Sequence, residues 1–141
     1  MPEEVMRDAP HDVSTVNVFK RLGVAAWKVR DNAYILGKTK VGCALLTAEG
    51  EMFVGCNVEH RFRSHDVHAE VNAISTMIAN GQQRIEYVLV AADRNNFTPC
   101  GACMDWIMQF AAERCLVAFQ ASPGAEPTIY TAQQLMPYYP H

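Results

Sequence analysis

Three side chains of this sequence carry the chemistry of a zinc site: His68, Cys100 and Cys103. Imidazole and thiolate are ligands that zinc favours, and a catalytic zinc keeps three protein ligands so that water can take the fourth position. A closed structural site would want a fourth protein ligand, which this pattern does not supply. One neutral imidazole and two thiolates offset the double charge of the ion, so the metal keeps its force as a Lewis acid and lowers the pKa of water to about 7. Glu70, two residues beyond His68, is the remaining part. A carboxylate that stands beside the metal rather than on it can carry protons between that water and a substrate. His65 is the one competitor for His68, but it has no Glu at the same offset; His11, His60 and His141 read as solvated or capping residues.

These groups need elements that bring them together. Ala69, Ala73, Ile74, Met77 and Ile78 give His68 to Asn80 a helical stripe, and Gly81 is placed to end it. Cys100 to Arg114 returns to helical spacing after a polar loop over Asp93 to Pro99, with Trp106, Ile107 and Phe110 on its core side. Both halves of the metal site therefore open helices, where free backbone N–H groups and the positive dipole end favour thiolate. Residues 13 to 32 make an amphipathic first helix through Val18, Leu22, Ala25, Ala26 and Val29, capped by Ser14 or Thr15. Val41 to Ala48 and Glu51 to Asn57 form a hairpin about Glu49-Gly50. Ile85 to Ala92 and Cys115 to Gln120 read as buried strands, Thr128 to Tyr130 as a short one, and Thr131 caps a last turn before Pro137. Strands alternating with helices imply an α/β sheet covered on both faces.

A chain of 141 residues suits one domain, taken as residues 1–141 with 1–12 as a flexible N-terminal segment. The formal charge of −3 argues against a surface that follows a phosphate backbone, so nucleic acid is not the expected partner. Met1 to Pro10 has no apolar run and nothing elsewhere approaches a membrane span, which suits a soluble, cytoplasmic protein. Five cysteines, an odd number, fit a reducing compartment. Cys43, Cys56 and Cys115 lie in apolar runs and read as small buried hydrophobes.

Residues 41 to 103 resemble the cytidine deaminase family, through Val41-Gly42-Cys43-Ala44, Gly55-Cys56-Asn57-Val58-Glu59, His68-Ala69-Glu70 and Pro99-Cys100-Gly101-Ala102-Cys103. The last two blocks are the H-x-E and P-C-x-x-C signature of the zinc deaminases. The resemblance implies a three-layer α/β/α fold with a five-stranded mixed sheet, a Zn2+ cofactor, and Glu70 as the proton carrier. It implies ribose binding by Asn57 and Glu59 and places Ala69 among the substrate-binding residues. The implied reaction is hydrolytic deamination of a cytidine or 2′-deoxycytidine type nucleoside, in pyrimidine salvage, by a homotetramer (or homodimer) whose sites borrow residues from neighbours. Family members with Cys as first ligand tend to carry Arg after the Glu; Val71 stands there, consistent with no excess charge to balance.

Other positions depart from the family pattern. Thr39 stands where a phenylalanine usually packs on the base, His60-Arg61-Phe62-Arg63 replaces Asn-Ala-Ser-Tyr, and Met104-Asp105 replaces Arg-Gln. A blasticidin S-like nucleoside antibiotic, a nucleotide or another amino-heterocycle is therefore the alternative substrate. A polynucleotide-editing enzyme or a non-catalytic member comes after those. Lys38, Lys40, Arg61 and Arg63 flank the expected pocket mouth, where they either meet an acidic substituent or serve as solvated and paired charges. Tyr138 and Tyr139 either reach a neighbouring subunit's base pocket or form a surface turn.

Overall fold

The first helix, α1 (Val13–Arg30), begins where Asp12 accepts the Thr15 backbone N–H at 2.8 Å. The cap is thus Asp12 and not Ser14 or Thr15, because a carboxylate just ahead of the first helical residue reaches the amide three residues on. Lys28 and Arg30 lie in the last turn, where cations suit the helix dipole. These coordinates, a computed structural model, describe residues 12–140; the expected N-terminal segment, apart from Asp12, and both His11 and His141 lie outside the described residues.

After α1 come β1 (Val41–Thr47), β2 (Met52–Cys56), α2 (Ala69–Ala79), β3 (Ile85–Ala92), α3 (Gly101–Phe110), β4 (Ala111–Gln120), β5 (Thr128–Thr131) and a last turn, α4 (Ala132–Leu135). The β1–β2 turn is tight because Gly50 adopts φ +86°, a conformation that costs glycine little. Thr131 caps α4 and exchanges hydrogen bonds with Gln134, a capping box.

The sheet runs β2-β1-β3-β4-β5, antiparallel except for the parallel pair β3–β4, which α3 connects. One face packs Phe19, Leu22 and Ala26 of α1 on Ala44, Leu46, Leu89, Ala91 and Ala118. The other face packs Ala73, Ile74 and Met77 of α2 and Met104 and Ile107 of α3 on Cys43, Leu45, Val88, Val90 and Val117. This is the three-layer α/β/α arrangement with a mixed five-stranded sheet.

α1 lies so close to β1 that a Cβ on Gly42 would sit 2.0 Å from the Ala26 carbonyl oxygen. Backbone cannot yield there as a flexible side chain would. Gly42→Ala is expected to lower stability by about 1–3 kcal/mol or more, read as a lower urea midpoint; an unchanged midpoint would mean that helix and strand do not meet at this point.

Two readings of the third helix change. The helix stops at Phe110 rather than Arg114, and Ala111 (φ −68°, ψ 133°) already belongs to β4, opposite Ile85. No glycine or proline marks this stop; strand pairing overrides good local helix formers. Trp106 is not core but 45% exposed, stacked on Phe110 at 6.5 Å, because Cys103, Met104 and Ile107 form the buried stripe one position away.

Candidate metal centre

His68 is the N-cap residue of α2 and Cys100 that of α3, with Cys103 in the first turn of α3. Neither cap residue bonds its own helix through its side chain. Both are turned to each other instead: His68 Nδ1 lies 3.2 Å from Cys103 Sγ and 3.5 Å from Cys100 Sγ. The ligand atoms of the three lie within 4.8 Å of one another. A tetrahedral zinc with bonds of about 2.0 Å to nitrogen and 2.3 Å to sulfur would hold those atoms about 3.5 Å apart, so spacing and donor types both fit that ion. His65 stays outside this group, in an exposed turn where its ring packs on His60 at 4.9 Å.

Cys103 is buried, while His68 and Cys100 are exposed, so the centre opens to solvent on their side. Burial pushes the Cys103 thiol far above its usual range, and nearby Glu70 and Cys100 push the same way. Cys43 and Cys115 are buried as well, Cys56 half-buried, and none joins the metal group. Burial pushes Cys115 up to about 12, as suits an inert thiol.

Glu70, in the first turn of α2, is 4% exposed. Burial raises its carboxyl above the ordinary range, opposed in smaller measure by its own backbone N–H, the His68 charge and a hydrogen bond with Cys103. Burial of this kind favours the protonated form and makes the carboxyl a better proton carrier than an exposed one. Ala69 beside it is buried.

The approach of α2 to β2 sets where these groups stand. A Cβ on Gly55 would lie 2.4 Å from Ala73 N and 2.6 Å from the Ala69 carbonyl oxygen, so only glycine lets the strand seat on the helix start. Asn72 Oδ1 accepts the Cys56 N–H at 3.0 Å. Nothing in the sequence marks this contact, since Glu70, Ser75 and Thr76 are polar residues of the same helix.

Asn57 and Glu59 follow β2, and both hold neighbouring backbone. Asn57 Oδ1 accepts Val41 N–H at 2.8 Å and its Nδ2 donates to Thr39 O at 3.0 Å. Glu59 Oε1 accepts Leu36 N–H and Gly37 N–H at 2.7 Å each. The pair therefore pins the segment that leads into β1. Arg63 bridges Glu59 Oε2 (3.1 Å) and Asp66 Oδ2 (2.8 Å), so of the four basic residues at the expected mouth this one is a paired charge within its own chain. Lys38 and Arg61 are exposed, and Lys40 Nζ lies 3.5 Å from the Asp31 carbonyl oxygen. Tyr139 hydrogen-bonds Asp105 of α3, which folds the tail back on its own chain, whereas Tyr138 is 96% exposed.

The Gly37 and Leu36 amides, with Arg63 behind them, hold the Glu59 carboxyl below the ordinary carboxylate range. A lowered folded-state pKa contributes stability above the unfolded value and loses it as pH falls through the folded one. The stability gap between the parent protein and Glu59→Gln should therefore be widest near neutral pH and close in acid, which denaturant titrations at the two pH values measure. A gap independent of pH would contradict this ionisation.

Comparison with known proteins accords with this geometry. The profile of the cytidine and deoxycytidylate deaminase zinc-binding region matches residues 19–119. The cytidine deaminase of Sporosarcina psychrophila is 35% identical over 85 residues, covering 59% of this chain and 62% of that protein. The cytidine deaminase of Mycoplasma pneumoniae is 35% identical over 91 residues, covering 62% of this chain and 68% of that protein. The crystal structure of cytidine deaminase from Burkholderia pseudomallei superposes with a TM-score of 0.76 at 27% identity, covering 84% of this chain and 95% of that one.

Proposed function

The chain belongs to the family of zinc-binding cytidine and deoxycytidylate deaminases, and from that premise we propose that it hydrolyses a cytidine-type nucleoside to the uridine-type product and ammonia. The observation that carries this reading is the meeting of His68, Cys100 and Cys103 at two helix starts, with the buried carboxyl of Glu70 beside them. His68, Cys100 and Cys103 would hold the zinc. When bound, zinc supplies the Lewis acidity that makes water nucleophilic near neutral pH.

The remaining steps fall to side chains. Glu70 takes the proton that water gives up and delivers it to the ring nitrogen next to the amino-bearing carbon, which makes that carbon electrophilic. Once the water oxygen has bonded to that carbon, the same carboxyl takes the remaining hydroxyl proton and passes it to the amine; the C–N bond breaks, ammonia leaves and the oxygen stays as the carbonyl of the product. Asn57 and Glu59, fixed by the backbone bonds described above, present their remaining lone pairs and N–H to the sugar, and Ala69 packs against the base. A polar pair of this kind, Asn57 buried and Glu59 half-buried, selects for the hydroxyl, because a substrate without it leaves groups unpartnered.

Arg63 is already shared between Glu59 and Asp66, which removes one of the four basic residues that an acidic substituent could meet. The net charge of −3 speaks against a polynucleotide. Residues 1–141 act as one deaminase domain. Its open metal centre and the exposed Tyr34, Leu36, Phe62 and Trp106 suit a homotetramer or homodimer in which neighbours close the site. Free cysteines, two of them needed as ligands, suit the cytoplasm, and deamination of a cytidine-type nucleoside suits a role in pyrimidine salvage. No helix among the described residues is long and apolar enough to cross a membrane.

Ammonia release from cytidine, deoxycytidine, cytosine, cytidine monophosphate and blasticidin S, with and without a chelator, tests the reading. Turnover of the first two that stops on chelation is expected. A zinc-replete protein inert toward both would overturn it.

A further inference from the structure

The two ends of the proposed substrate site sit on different pieces of chain. Asn57 and Glu59 follow β2, His68 and Glu70 open α2, and the turn between them, residues 60–66, is largely exposed. Val58 and Val67 close the base of that turn with backbone hydrogen bonds of 2.9 Å in each direction. A side chain makes the other tie. Asn72 Oδ1 accepts the Cys56 N–H at 3.0 Å, while the Asn72 N–H donates to the His68 carbonyl at 3.0 Å. One residue thus joins the last position of β2, next to Asn57, to the ligand residue His68.

β2 is an outer strand, and the Asn57 N–H points inward to Val41 O at 3.2 Å. Alternation along the strand turns the preceding N–H, that of Cys56, outward, where it needs an acceptor. Water could satisfy a half-buried amide as well as Asn72 does. Nor does asparagine earn its place by helix propensity. What this side chain adds is a set distance between strand end and helix start.

We propose that Asn72 is a positioning residue, registering the sugar-holding strand end against the helix that bears the metal ligand and the acid. The proposal rests on the nucleoside reading above. His68 and Glu70 ride on one helix and stay aligned with each other whatever β2 does, so slackening this tie should weaken the hold on substrate more than the chemical step.

Asn72→Ala should raise KM for cytidine about tenfold, with kcat kept within about threefold and about one zinc per chain retained. Asn72→Asp, which keeps the acceptor oxygen, should restore KM to within about threefold of the parent. A parental KM in the alanine variant, an aspartate variant as impaired as alanine, or a fall in kcat alone would overturn the proposal. Hydrogen exchange at the Cys56 amide needs no substrate: it should quicken in Asn72→Ala while zinc stays bound, and unchanged exchange overturns the proposal whatever the enzyme deaminates. A parent protein that releases no ammonia from cytidine overturns the nucleoside reading instead, so the two failures are separable.

Discussion

Glu70→Gln is expected to bind zinc as fully as the parent and to lose about 10²–10⁴-fold in kcat, the usual contribution of a positioned proton carrier. The amide keeps the shape of the carboxyl, so the buried first turn of α2 is not asked to repack. It cannot take a proton from water or pass one to the ring nitrogen and then to the amine, so both halves of the reaction suffer. Metal analysis alongside steady-state ammonia release separates the roles. Parental turnover in this variant would remove Glu70 from the mechanism, and loss of zinc would make it a ligand rather than a proton carrier.

Cys103→Ala should have the larger effect on the metal itself: affinity lower by at least about 100-fold, since even changes around a ligand cost 10–100-fold, and turnover lost with it. Cys103 is the buried ligand, and its thiol in the metal-free protein is pushed upward by burial and then by Glu70 and Cys100. Binding must therefore displace a proton, so affinity should fall about tenfold per displaced proton for each pH unit lowered. Competition with a chromogenic chelator across pH reads both the affinity and the slope. A variant that holds zinc as tightly as the parent, or a parent whose affinity ignores pH, would exclude Cys103 from the ligand set.

Most of this was legible in the residues, and what was not has physical reasons. His68, Cys100 and Cys103 could be matched because ligand chemistry restricts residue type and helix starts restrict spacing. β3 was readable to its ends because a strand buried on both faces is apolar nearly throughout. The end of α3 was not, because Ala111 to Arg114 are helix formers that join β4 through pairing with β3, a tertiary choice without a local mark. Trp106 shows the limit of periodicity: a helix with apolar residues on several sides does not say which of them the sheet will cover. The partners of Asn57, Glu59 and Arg63 lie in loops, where side-chain hydrogen bonds follow no period, and the bond from Asn72 to Cys56 is of the same kind.

Two helices of this fold begin on cap residues whose own side chains accept no helix amide. An ordinary cap contributes about 1 kcal/mol at each such end; His68 and Cys100 have exchanged it for affinity toward an ion. Metal starvation is therefore expected to loosen these two helix starts as well as to stop the chemistry. The ends that fray first would be those that build the reaction site, so a molecule without zinc would be marked as defective at the very place a protease or a refolding assay can sense.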